Sequence, residues 1–292
     1  MSAPGARPVQ KVKKVQRIHP TAIVARGAHI PASCTIGPWC TIGPNVILGE
    51  DCELISHVVL VGDVAGHLTL GAGNRIFPFA CLGVAPQDLK YAGEPTRCEI
   101  GDGNTFREYV TISRGTAGGG GITHIGSGCL IMAYTHIGHD STIGEGCILA
   151  NSATLAGHVI VEDYAVVGAL CPVHQFCRIG RYAYIGGGTT ITQDVLPYSL
   201  TSIERNNHAY GLNKVGLERR GFTPAQIKQL RNAYRLLQAS KLNTTDALAA
   251  IRATLAGPPA PEQGTAAAGQ DEAEHVRYLA DFIASSHRGI IK

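Results

Sequence analysis

Residues 125–161 read IGSGCLIMAYTHIGHDSTIGEGCILANSATLAGHVIV, and an aliphatic residue returns at every sixth position: Ile125, Ile131, Ile137, Ile143, Leu149, Leu155 and Val161. The beat continues without a slip through Val167, Val173, Ile179 and Ile185 to Ile191. Towards the N-terminus it runs from Ile18 through Val24, Ile30, Ile36, Ile42 and Leu48 to Leu54 and Leu60. It resumes at Leu70, Ile76 and Leu82, and again at Ile100, Phe106 and Ile112. A period of six is not helical, because 3.6 residues per turn does not divide it. It suits short strands, each followed by a turn, and a repeat this regular governs the reading of the whole chain.

A second rule rides on the first. Two residues before most of the aliphatic positions stands a small residue, as at Ala28, Cys34, Ser141, Ala153 and Ala183. Eight of the nine cysteines fall at this position, Cys81 being the exception. They therefore read as small buried fillers at turns rather than as ligands, disulfides or nucleophiles. Composition agrees: aromatics make up only 6% of the chain and glycine counts 36, so small and branched residues must fill the core. The formal net charge of +3 is too modest to point to nucleic acid. There is no apolar run long enough for a membrane span and no secretory signal, so a cytoplasmic protein is expected.

Two insertions interrupt the beat, near 83–99 and 113–124; the second holds a run of glycines from Gly118 to Gly121 that reads as a loose surface excursion. After Ile191 the period changes. Thr223-Pro224 is a helix start, followed by Ile227, Leu230, Tyr234 and Leu237 at helical spacing. Further helices fit Thr245–Leu255 and Glu272–Ser285, with Gly257–Gly269 as a linker. The division expected is a flexible basic arm (1–16), a β-helix (17–200), and a connecting segment with an α-helical C-terminal domain (201–292).

Register also places chemistry. Ile137, Leu155 and Val173 lie 18 residues apart, so a solenoid that turned once in three six-residue steps would stack them on one edge of consecutive coils. His139, His158 and His174 follow them closely, and His136 should face outward beside them. A histidine with a carboxylate beside it handles protons near neutral pH, and Asp140 follows His139 directly. In a strand the two would point to opposite faces, whereas at a turn the carboxylate can reach the ring. Three imidazoles also suit a catalytic zinc, so a metal-dependent hydratase of the γ-carbonic anhydrase type stays open on spacing alone.

The repeat, with its Ile-Gly steps at Ile36-Gly37, Ile137-Gly138 and Ile185-Gly186, resembles the hexapeptide-repeat family. That resemblance implies an all-β left-handed parallel β-helix with three faces, an exception to the usual right-handed crossover. A sharper resemblance lies in Gln87–Thr96, His136-Ile137-Gly138-His139-Asp140, Asn151–His158, Val173-His174-Gln175-Phe176, Gly211-Leu212-Asn213 and Arg219-Arg220-Gly221-Phe222. These are similar to the UDP-N-acetylglucosamine 3-O-acyltransferases of lipid A biosynthesis. The resemblance implies transfer of an (R)-3-hydroxyacyl chain from acyl carrier protein to UDP-N-acetylglucosamine, by a homotrimer without cofactor or metal. Carried over by position, His139 is the general base, Asp140 its orienting carboxylate, and the Gly157 N–H the oxyanion donor. Asp88, Lys90, His136 and His158 would hold the sugar; His174, Gln175, Asn213, Arg219 and Arg220 the nucleotide. Gly187 would leave room for a longer acyl chain. Ser113, Tyr184 and Val215 depart from the family's more familiar histidine, methionine and glutamate. The related N-acyltransferase of the same pathway is the nearest rival, and the Gln87–Thr96 loop and the Arg219-Arg220 pair argue against it.

Overall fold

The computed structural model describes residues 17–63, 66–202, 208–238, 242–255 and 266–291, so the basic arm expected at 1–16 lies outside the described residues. The chain winds as a parallel β-solenoid whose short strands fall into three sheets. Sheet A starts with Arg17–Ile18 and has eleven strands, sheet B starts with Ile23–Val24 and has eight, and sheet C starts with Val46–Leu48 and has seven. The register is 18 residues wherever no loop intervenes: Ile137 pairs with Leu155, and Leu155 with Val173. Each hexad's aliphatic residue points inward, so one apolar column from Ile36 to Ile191 fills the prism. Each such side chain contributes roughly 1.5–3 kcal/mol on burial, which is how a core poor in aromatics stays stable. Ile18, Val24 and Ile30 are more exposed, because the first coil has no neighbour on its outer side.

Eight cysteines are buried at the corners, and Cys81 is partly buried. Burial pushes most of their thiols up, Cys34 to about 11 and Cys98 to about 12, whereas the Cys147 side chain beside Cys129 draws the Cys129 thiol down. Two asparagines take the same inward corner position. Asn74 donates to the carbonyls of Gly71 and Gly101, and Asn104 donates to that of Gly101.

The three corners differ, and the difference positions the site. Turns from sheet B to sheet C carry His139, His158 and His174, together with both long loops. Turns from C to A carry Tyr164 and Tyr182, and turns from A to B carry Trp39, Tyr109 and Gly187. Many corner residues adopt the left-handed conformation without being glycine, Asp140 (φ 59°), His158 (φ 61°) and Phe176 (φ 65°) among them. That conformation costs a side chain energy, and here it makes the sharp bend each corner needs.

After Ile191 the sheet continues. Ser199–Ser202 extends sheet A in parallel, and His208–Leu212 folds back on it as an antiparallel partner, a hairpin the sequence reading did not anticipate. Four helices follow: α1 (Lys214–Arg219), α2 (Pro224–Gln238), α3 (Thr244–Leu255) and α4 (Ala266–Ala284). Helix α1 was not foreseen; Asn213 caps it by accepting from the Gly216 N–H at 3.2 Å. Helix α4 begins six residues before the expected Glu272, taking over some of the supposed linker. Its Ala266-Ala267-Ala268 start is made of the strongest helix former. The helices share a second core, with Leu217, Leu230, Leu279 and Phe282 packed around Leu196 and Tyr198.

Candidate active site

The B–C corner gathers His139, Asp140 and His158. Asp140 sits at the left-handed turn position, so its carboxylate swings back to the preceding ring instead of pointing away from it. Its Oδ2 lies 2.7 Å from His139 Nδ1 and 3.7 Å from His158 Nε2. The carboxylate is fully buried. It is held from the other side by Thr116, whose N–H donates to Oδ1 at 2.8 Å and whose hydroxyl donates to Oδ2 at 2.6 Å. The Asp140 N–H donates to Thr123 Oγ1. Neither threonine was singled out from the sequence.

The glycine-bearing loop is therefore no loose excursion. Thr116 caps a short turn at Ala117–Gly119, and a Cβ at Gly119 would run into the Asp140 carboxylate. Gly157, on the following coil, makes room in the same way. A Cβ there would lie 2.6 Å from His139 Cε1 and 2.7 Å from Nε2, so the bare backbone gives the imidazole its place. Among the described residues no backbone carbonyl accepts the Gly157 N–H.

The rings stack along the corner. His139 meets His158 edge-on at 5.1 Å, and His158 lies flat on Phe176 at 4.5 Å. The third ring of the stack is thus Phe176, not His174. His174 shares the corner but turns aside, with Nδ1 3.1 Å from the Gln175 carbonyl and 3.2 Å from Arg288. Gln175 is exposed beside it. His136 faces outward less than expected: it is half-buried, its Nδ1 2.8 Å from Thr111 Oγ1. Burial and the neighbouring His139 push His136 below the ordinary imidazole value. Burial likewise lowers His158, with Asp140 and Asp88 pulling the other way.

That influence of Asp88 brings the first long loop to the same corner. Asp88 Oδ1 accepts from the Lys90 N–H, closing a tight turn whose tip, Leu89, is fully exposed. Ser113, at the base of the second loop, is buried.

The remaining site candidates lie on other corners. Asn213 donates to the Tyr182 carbonyl, and Arg220 stacks 4.5 Å over Tyr164, which puts both on the C–A corner beside exposed Arg219. Gly187 sits on the A–B corner, close to the Ala169 carbonyl. One chain therefore does not bring these residues to His139.

Two chemistries fit a His-Asp-His cluster. A metal would use donors from His139, Asp140 and His158, which lie within 4.8 Å of one another. Both oxygens of Asp140 are already taken by Thr116 and His139, and the third histidine of the zinc reading stands apart. The arrangement suits proton transfer: Nδ1–H given to Asp140 leaves the lone pair on Nε2. The Cys34 and Cys98 thiols are too protonated and too enclosed to serve as nucleophiles.

Known proteins share the sequence and fold of this chain. Residues 194–291 match the model of the second domain of UDP N-acetylglucosamine O-acyltransferase, and residues 122–157 match the bacterial transferase hexapeptide repeat. An acyl-(acyl-carrier-protein)–UDP-N-acetylglucosamine O-acyltransferase from Anaeromyxobacter dehalogenans is 47% identical over 94% of this chain and 99% of its own length. The crystal structure of UDP-N-acetylglucosamine O-acyltransferase from Moraxella catarrhalis superposes with a TM-score of 0.84 at 39% identity, covering 94% of this chain and 99% of that one. The corresponding enzyme of Francisella novicida gives 0.84 at 38% identity, over 94% and 93%. With such identity over nearly its whole length, this chain belongs to the UDP-N-acetylglucosamine O-acyltransferases, a family of hexapeptide-repeat acyltransferases.

Proposed function

We propose that the protein transfers an (R)-3-hydroxyacyl chain from acyl carrier protein to the glucosamine 3-hydroxyl of UDP-N-acetylglucosamine, opening lipid A biosynthesis, with His139 as general base. The observation that carries this is the buried Asp140 carboxylate, 2.7 Å from His139 Nδ1 and fixed by Thr116. With Nδ1 engaged, Nε2 takes the proton of the sugar hydroxyl. The oxygen attacks the thioester carbonyl, a tetrahedral intermediate forms, and the carrier's thiolate leaves with the proton that His139 returns. The Gly157 N–H, on the backbone that packs against the His139 ring, would donate to the oxyanion. His158 and His136, less basic than ordinary histidines, serve as neutral hydrogen-bonding partners for the sugar, with Asp88 and Lys90. No acyl-enzyme is needed, so both substrates bind together.

A convex corner offers a poor cradle for a nucleotide sugar. We place Asn213, Arg219 and Arg220, with His174 and Gln175, around the nucleotide and diphosphate. The first three would come from a neighbouring copy in a three-fold trimer. Arginine forks suit phosphate oxygens, and the Tyr164 ring braces the Arg220 guanidinium. An acyl groove between prisms would pass Gly187 and Tyr184. Acyl carrier protein and nucleotide sugars are cytoplasmic reagents, and no described helix is long and apolar enough to cross a membrane.

An acyl-transfer assay tests this, offering UDP-N-acetylglucosamine and its 3-amino analogue with 3-hydroxyacyl carriers of several lengths. Acylation of the 3-hydroxyl without added metal supports the reading. Transfer only to the amine, or turnover only with zinc, would contradict it.

A further inference from the structure

Arg114 is among the most deeply buried side chains of the molecule, 2% exposed, and lies outside the hexad core. It stands in the second loop, two residues before Thr116, the residue that grips Asp140. Its guanidinium reaches three other segments. One Nη donates to the Gly83 carbonyl at 3.3 Å, where the first loop leaves the prism. The other Nη donates to the Tyr91 hydroxyl at 2.7 Å, within that loop, and the group sits 5.4 Å from the Tyr91 ring. Its counter-ion is Asp63, at 3.3 Å, in the turn after Leu60 two coils below. Gly66 makes room: a Cβ there would lie 2.7 Å from the guanidinium carbon. An exposed contact runs parallel to this one, since Glu94 of the first loop accepts from the Ala117 N–H of the second at 3.5 Å.

We propose that Arg114 is a positioning residue that locks the Asp88–Lys90 loop to the loop orienting Asp140, so that acceptor binding and base alignment are set by one buried guanidinium. The inference rests on the acyl-transfer reading above. A flexible loop bearing Asp88 would otherwise lose entropy each time the sugar bound. An anchor fixed before binding removes that cost. Arginine is suited to the task because its planar fork serves Gly83, Tyr91 and Asp63 at once, which a lysine point charge does not.

The test uses the full-length protein as Tyr91→Phe and Arg114→Lys. Tyr91→Phe keeps the buried charge paired with Asp63 and guards against simple misfolding. In both variants the KM for UDP-N-acetylglucosamine should rise about tenfold, as expected for one lost charge-assisted hydrogen bond, while the KM for acyl carrier protein stays put. Hydrogen exchange should show residues 86–95 and 115–121 losing protection together, with the prism amides unchanged. Equal losses in both KM values and kcat, tracking a fall in melting temperature, would reduce Arg114 to a general stabiliser and overturn the proposal. Loosening of one loop alone would do the same. If the wild type fails to acylate the sugar, the functional reading fails, and exchange alone decides whether the two loops are locked.

Discussion

At the scale of single residues, chemistry follows from a left-handed turn. Asp140 bends back because φ is 59°, and that bend turns adjacent residues into a hydrogen-bonded pair. Asp140→Asn keeps the shape but offers an amide that donates where Thr116 and His139 also donate. The imidazole would be driven to the wrong tautomer, and we expect kcat to fall by about 10²–10⁴ with the melting temperature held within a few degrees. A variant retaining most of its rate would show that the carboxylate does not orient the base. His136 makes a second prediction. Its protonation is disfavoured in the fold, so above its ordinary value of 6.5 it has no effect on stability. As pH falls below that value the unfolded chain takes up a proton that the folded chain resists, and stability declines until the folded site titrates. Denaturant titrations at pH 7 and pH 5 should show wild type losing more stability than His136→Gln. Equal losses would contradict the buried, neutral assignment.

At the scale of elements, the hexad was legible because every sixth side chain faces the prism interior, and one residue of slippage would expose them all. The corner fillers were legible for the same reason, although Asn74 and Asn104 show that a polar side chain also fits where it can cap backbone carbonyls, two for Asn74 and one for Asn104. The loops were harder. Nothing in Gly118–Gly121 announces that Gly119 packs on a carboxylate twenty-one residues away in sequence, because that contact depends on coil stacking. The gap between His174 and the cluster has a similar origin: His174 follows its strand's aliphatic residue by one position and His158 by three, so Phe176, which shares the offset of three, packs on His158. Helix α1 was missed because six residues are too few to show a period. Gly119→Ala tests the loop assignment. A Cβ at Gly119 would overlap the Asp140 carboxylate, and displacing that group by about an ångström should lower activity about ten- to a hundredfold, with little change in stability, since the loop is at the surface. Unchanged activity would mean the loop can give way without disturbing the base.

At the scale of the whole molecule, the prism separates His139 and Arg220 onto different edges, and the proposed site uses both. If neighbouring copies supply them, chains carrying His139→Ala and chains carrying Arg220→Ala should complement each other. Unfolding and reassembling an equal mixture should then restore a measurable share of wild-type activity, about a quarter under random mixing of independent sites. A mixture as inactive as its parents would place both residues within one chain's site or outside it altogether. The most direct test of the account is the acyl-transfer rate of purified His139→Ala with UDP-N-acetylglucosamine and 3-hydroxyacyl carrier protein, measured on material whose circular dichroism and oligomeric mass match wild type. The account predicts a rate reduced by at least about a hundredfold. A rate near that of wild type would contradict it.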